Sequence, residues 1–141
     1  MKIVVAAVGK LKDRGLRDLV DDYLKRLRHY VPVQELELRD AAGFSKIHPE
    51  ALRIALEVDG RALSSVAFAR KLEAWGSTGK GVVAFMIGGA EGLPADVSAK
   101  AHAKLSLSTM TLPHRLARLL LAEQLYRAMT ILRNEPYARE G

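Results

Sequence analysis

Three stretches of this 141-residue chain combine residue types able to hold a small ligand. Gly88-Gly89-Ala90-Glu91-Gly92 follows an apolar run. Its glycine pair lets the backbone approach a ligand with no Cβ intervening. Residues 107–112 (Leu107, Ser108, Thr109, Met110, Thr111, Leu112) follow a second, shorter apolar run and offer backbone N–H and C=O groups to a neutral heterocycle such as adenine. The loop after Val58 is the third. Each lies just past a stretch that reads as a strand, and in a parallel α/β sheet ligands sit outside the carboxyl ends of the strands. The glycine loop is neither a GxGxxG fingerprint nor a Walker A loop, so it does not by itself specify a dinucleotide or a triphosphate. It also has the bland reading of a tight turn.

Other chemistries are excluded or disfavoured. Cysteine is absent, which removes thiolate catalysis, disulfides and zinc–cysteine sites and makes a cytoplasmic protein the expectation. His29, His48, His102 and His114 show no metal-ligand spacing, so no metal is expected. There is no GxSxG elbow. The first apolar run, residues 3–8, is too short for a signal h-region, and no run approaches a membrane span.

The net charge is +6, unevenly spread: residues 1–30 carry eight Lys/Arg against four acids, and residues 31–60 carry three against six. A basic protein with one acidic segment presents a positive face suited to a polyanion such as nucleic acid or anionic lipid. Arg115 and Arg118 share a face near the start of a long helical stretch. The helix dipole disfavours cations there, which suits them to an anionic partner. Glu123 and Arg127, four apart in the favourable order, read as a structural ion pair.

The elements that must position these groups alternate between strand and helix, as expected for an α/β fold with a mainly parallel sheet in one domain. Residues 3–8 and 82–87 are continuous apolar runs, expected to be covered on both faces. Residues 33–38 alternate, with Glu35 and Glu37 on one face, and read as a strand nearer the edge. Residues 54–58 are the third strand, Asp59-Gly60 a turn, and residues 104–107 the fifth strand. One helix carries Leu16 to Leu27 and stops before Pro32; a second is capped by Ser64 or Ser65 and ends at Gly76; a short third starts at Pro94. Residues 39–50 read as a loop, leaving room for one helical turn after Pro49. The last helix is expected to be capped by Thr111, with Pro113 in its first turn, and to be buried on most sides through Leu116, Leu119, Leu120, Leu121 and Leu125. The tail from Asn134 reads as irregular.

Taken together, VAAVGKLK at residues 5–12, FMIGGAEGL at 85–93 and LSLSTMTLPHRLARLLLAEQLYRA at 105–128, with the Pro136-Tyr137 tail, resemble the RlmH family. These are SPOUT-superfamily methyltransferases acting at N3 of a pseudouridine in bacterial large-subunit ribosomal RNA. The resemblance covers nearly the whole chain. It implies a five-stranded sheet with a C-terminal trefoil knot, S-adenosyl-L-methionine as cofactor, and a homodimer in which one subunit's tail completes the other's RNA site. Carried over by motif, the cofactor contacts are Leu56, Gly88, Leu107, Ser108, Thr109, Met110, Thr111 and Leu112. Arg139, Tyr137 and His114 are the candidates for catalysis and positioning, and Lys10, Lys12, Arg115, Arg118 and Arg139 for gripping RNA. The family's tail usually reads Pro-Tyr-His-Arg, but Ala138 stands where the histidine would be. The segment between Leu38 and Ile54 is also shorter than usual, and Ala90 stands where proline is common. Ala138 leaves room for an alternative: a catalytically silent ribosome-binding protein of the same fold.

Overall fold

The computed structural model describes residues 1–78 and 80–139. The apolar run at the N-terminus forms β1 (Lys2–Val8), and Asp13 caps α1 (Arg14–Leu27) by accepting from the Leu16 N–H. The alternating segment is β2 (Val33–Leu38). Next comes a 3-10 turn (Ala41–Lys46), then β3 (Leu52–Ala62), α2 (Ser65–Gly76), β4 (Val82–Ile87), α3 (Ala95–Ala99), β5 (Ala103–Ser106) and α4 (His114–Leu132). A second 3-10 turn (Pro136–Arg139) closes the described chain.

The five strands form one sheet in the order β2-β1-β4-β3-β5, with every pairing parallel. The two fully apolar strands, β1 and β4, lie side by side in its interior, and the Glu-bearing β2 takes an edge, as their patterns require. Helices α1, α2 and α4 cover one face, with α4 packed against both of the others. The core there joins Ile3, Val5, Phe85 and Leu105 to Leu24, Leu72, Leu121 and Leu125. Phe68, Trp75 and Phe85 meet edge-to-face at 6.1–6.4 Å between ring centroids. The opposite face is closed by Phe44 and Ile47 in and after the first 3-10 turn, and by Leu93, Val97 and Ala101 around α3.

Several local features differ from expectation. The cap of α4 is Pro113 with no side-chain hydrogen bond, rather than Thr111. The polar turn instead closes on itself, Ser108 Oγ accepting from the Met110 N–H at 2.9 Å. A hydroxyl that bonds its own backbone two residues on competes with a cap. Helix α4 is less enclosed than its apolar content suggests: Leu116 and Leu120, one turn apart, remain 41% and 40% exposed. Residues 41–46 form a 3-10 turn where a loop was expected, its start fixed by Asp40 accepting from the Ala42 N–H. The tail is likewise a short 3-10 turn rather than irregular chain.

Asp59-Gly60 is not a turn that ends the third strand. Strand β3 starts earlier, at Leu52, and runs through to Ala62 with an irregularity that lets both Leu56 and Arg61 register against Leu105. Gly60 makes this possible. A Cβ there would sit 2.8 Å from backbone atoms of Lys104 and Leu105, closer than any side chain tolerates. Replacing Gly60 with Val should therefore push β3 from β5 and cost about 1–3 kcal/mol, the usual range for overpacking. Urea denaturation measures this, and an unchanged midpoint would show that β5 gives way freely.

Candidate ligand cavity and the arginine clamp

The parallel register brings the carboxyl ends of β4 and β5 beside the irregular middle of β3, at Leu56–Val58, and a cavity of about 620 Å³ opens there. Its size is that of a pocket for a drug-sized molecule. Apolar walls come from Leu56, Ile87, Leu105, Leu107 and Leu112, and the rims from the glycine loop and from Ser108, Met110 and Thr111. His114 and Ala117, in the first turn of α4, close the far side. Of the expected cofactor contacts, Leu56, Gly88, Leu107, Ser108, Met110, Thr111 and Leu112 all line this cavity; Thr109, in the same turn, does not.

Glu57 lines it too, and nothing in the sequence patterns singled that residue out. Its only signal was its place just past the apolar run of β3. The lining thus holds one carboxylate and one imidazole, and among the described residues no lysine or arginine. That donor set suits a neutral or cationic ligand and is poorly matched to a triphosphate, whose charge needs cations or a dedicated anion-binding loop.

The glycine pair works differently from the expectation that Gly88 clears space for the ligand. A Cβ on Gly88 would lie 2.2 Å from the Gly92 carbonyl carbon and 2.5 Å from Leu93 N. The chain folds back on itself here, with the Gly92 N–H donating to the Gly89 carbonyl at 2.9 Å and Gly92 at φ +78°. Gly88 is therefore required by the loop's own closure, and the rim it shapes follows from that.

Arg118 departs furthest from expectation. Rather than facing an RNA, it is 2% exposed and clamped from two sides. Its Nη2 donates to Glu35 Oε2 at 2.7 Å and to Glu37 Oε2 at 2.8 Å, and its Nη1 to the Gly9 carbonyl at 3.3 Å. Glu37 Oε2 also accepts from the Leu11 N–H at 3.0 Å and from Arg17 Nη1 at 3.1 Å, while Arg17 Nη2 reaches both oxygens of Glu35. The alternating acids on one face of β2 are thus the counter-charges of a buried guanidinium. Lys10, Lys12 and Arg115 stay exposed and enter no ion pair among the described residues.

Comparison with known proteins agrees with this geometry. A family model described as "Predicted SPOUT methyltransferase" matches residues 1–138. Ribosomal RNA large subunit methyltransferase H of Sorangium cellulosum is 58% identical over 145 residues, covering 98% of this chain and 99% of that protein. This chain belongs to the RlmH family of SPOUT methyltransferases. The RlmH protein of Anaeromyxobacter dehalogenans strain 2CP-C is 42% identical over 152 residues, covering 97% of this chain and 99% of its own length. Among solved structures, a probable methylase family protein from Haemophilus influenzae aligns with a TM-score of 0.60 at 16% identity, over 96% of this chain and 69% of that one. TrmJ from Z. mobilis aligns at 0.55 and 13%, over 92% and 70%. At these identities the two structures speak for the SPOUT fold alone.

The candidate catalytic residues of the RlmH motif fall into two groups. His114 is at the cavity, but Tyr137 and Arg139 belong to the tail, where Tyr137 lies against α4 at Glu123, Tyr126 and Arg127, past the helix midpoint. Tyr137 donates to Glu123 Oε2 at 2.7 Å, stacks edge-on to Tyr126 at 4.6 Å and sits under the Arg127 guanidinium at 5.1 Å. Glu123 is nine residues from His114, roughly 13 Å along the helix axis. Arg127 also pairs with Glu123 at 2.8 Å, as its spacing foretold. Burial and the Glu123 carboxylate push the Tyr137 hydroxyl well above the usual phenol range. Tyr30, donating to Glu135, is pushed up to about 12, first by that bond and then by burial. Both tyrosines hold their protons at neutral pH and act as donors rather than bases. Arg139 is exposed, and its Nη2 donates to the Asn134 carbonyl at 3.3 Å. No helix among the described residues is long and apolar enough to cross a membrane, and those residues form no cluster suited to a metal ion.

Glu37 makes the clamp sensitive to acid. Burial pushes its pKa up, but the bonds from Arg118 and the Leu11 N–H and the attraction of both arginines outweigh this and hold it below the ordinary carboxylate value of 4.5. A carboxylate with a depressed folded pKa contributes stability that is present above its unfolded pKa and lost as pH falls through its folded one. The melting temperature should thus fall on acidification below about pH 4.5, and Glu37→Gln should flatten that part of the profile. An identical acid profile in the variant would remove Glu37 as a source of the effect.

Proposed function

We propose that this protein transfers a methyl group from S-adenosyl-L-methionine to N3 of a pseudouridine in bacterial large-subunit (23S) ribosomal RNA. The observation that carries this reading is the cavity at the ends of β4 and β5 beside the middle of β3, lined by seven of the eight motif-matched cofactor positions and free of lysine and arginine among the described residues. S-adenosyl-L-methionine fits that donor set. Its adenine suits apolar walls edged by backbone donors and acceptors, and its positive charge suits a lining that holds the Glu57 carboxylate and, among the described residues, no lysine or arginine. When bound, the cofactor supplies an activated methyl carbon on a cationic sulfur.

What remains for the chain is to orient the base, exclude water and free the N3 lone pair. Orientation alone can supply several kcal/mol of a barrier, of the order of 7–11 in favourable cases. His114, at the cavity wall, is placed to position the base. The exposed Arg139 is free to lower the cost of removing the N3 proton by offsetting the developing negative charge. Because the tail lies roughly 13 Å along α4 from its own cavity, the reading requires a homodimer in which the tail of one subunit serves the cavity of the other. The exposed pair Leu116 and Leu120 on α4 offers an apolar face for that association. The C-terminal trefoil knot belongs to the same proposal and rests on the family resemblance. Lys10, Lys12, Arg115 and Arg139, all exposed, are the proposed RNA-gripping cations.

The test is methyl transfer from radiolabelled S-adenosyl-L-methionine to ribosomes lacking the modification, with product nucleosides resolved. Label is expected in N3-methylpseudouridine; its absence alongside intact cofactor binding would favour a catalytically silent ribosome-binding protein. In the same assay Arg139→Ala should lower kcat by about 10²–10³, the usual loss for one charge-stabilising donor, with little change in cofactor affinity. A variant that loses the cofactor instead would show that the tail has another role.

A further inference from the structure

The sequence VGKLK leaves the sheet at the end of β1, next to the cavity rim: a Cβ on Gly89 would lie 3.4 Å from Val8 Cγ1. The Gly9 carbonyl and the Leu11 N–H, on either side of Lys10, are both held by the same assembly. Arg118 Nη1 takes the carbonyl, and Glu37, itself held by Arg118, takes the N–H. Arg118 lies directly after Ala117 and one turn after His114, both lining the cavity. The loop carrying Lys10 and Lys12 is therefore tied at two points to the helical turn that walls the ligand cavity.

A buried arginine is a costly way to join a loop to a helix. Desolvating the charge must be offset by well-made bonds, and apolar packing of similar volume often serves stability as well or better. Here the buried Nε of Arg118 has no hydrogen-bond partner among the described residues, so stability alone accounts poorly for the residue. The fork of the guanidinium does what apolar packing could not: it fixes a backbone carbonyl and two carboxylates in one orientation.

Building on the RNA reading above, we propose that Arg118 with Glu35 and Glu37 is a positioning device that sets the Lys10/Lys12 loop against the cavity mouth, so that phosphates bound by these lysines place the target base over the cavity. Arg118 touches neither RNA nor cofactor; it acts through the loop. Lysines on a loop free to wander would make no ordered phosphate contact.

The test compares the full-length protein with two variants. In one, Arg118→Met is combined with Glu35→Gln and Glu37→Gln, so that no buried carboxylate is stranded. The other is Glu37→Ala, which unties Leu11 yet leaves Arg118 its bond to Glu35, and which stands in if the first does not fold. Binding to ribosomes lacking the modification is measured across a salt series, beside S-adenosyl-L-methionine titration. Two ordered phosphate contacts correspond to a slope of about 1.5 in log K against log salt. The variants should lose about that much slope, bind ribosomes roughly tenfold more weakly at 0.1 M salt, and keep cofactor affinity within about twofold. Adding Lys10→Ala and Lys12→Ala to either variant should cost nothing further, because coupled residues are not additive. An unchanged slope, or a lysine effect that simply adds to the clamp effect, overturns the proposal. A wild-type protein that binds no ribosomal RNA at all would instead sink the substrate reading.

Discussion

The buried guanidinium of Arg118 is the interaction on which the arrangement of this molecule most depends. It lies where β1 ends, where β2 presents two carboxylates and where α4 begins, and it bonds to the first two directly. Removing it alone would leave Glu35 and Glu37 facing Arg17 as their remaining strong partner. It would also release the Gly9 carbonyl. The sheet order makes this convergence possible, because β1 is flanked by β2 on one side and β4 on the other. One residue of α4 can thus govern the loop after β1, while its neighbours Ala117 and His114 line the cavity beyond β4.

The cavity itself is a product of backbone rather than of reactive side chains. Gly88 and Gly92 let the loop after β4 close so tightly that no Cβ would fit at Gly88, and Gly60 lets β3 and β5 approach around an irregular register. What results is an apolar slot edged by peptide groups, with little ionisable chemistry of its own. Such a site suits a ligand that brings its own reactivity, and the protein's share is orientation and exclusion of water. That the chain belongs to a methyltransferase family agrees with this division of labour.

Much of this was legible in the residues because local pattern and tertiary role coincide. The apolar runs of β1 and β4 became interior strands, the strand-end rule located the cavity at β4 and β5 though not at β3, and Glu123–Arg127 formed at its helical spacing. Where local signals failed, a distant partner had intervened. The alternation of β2 cannot reveal that Arg118, more than eighty positions away, will turn its acids into counter-charges. The dipole argument that placed Arg118 toward an external anion was right that an anion was needed and wrong about where it lay. Asp59-Gly60 looked like a turn because glycine usually marks one, but here the missing Cβ admits the β5 backbone. The separation of Tyr137 from His114 also lay beyond spacing, since it follows from the tail docking on Tyr126 and Glu123, more than two turns along α4.

The account stands or falls on what the cavity holds, and calorimetric titration of the purified protein asks this directly. S-adenosyl-L-methionine should bind with a micromolar-range dissociation constant, about −8 kcal/mol, while ATP, which shares the adenosine but carries a triphosphate, should bind at least about a hundredfold more weakly. Equal or tighter binding of ATP, or no heat from S-adenosyl-L-methionine, would contradict the assignment of the site.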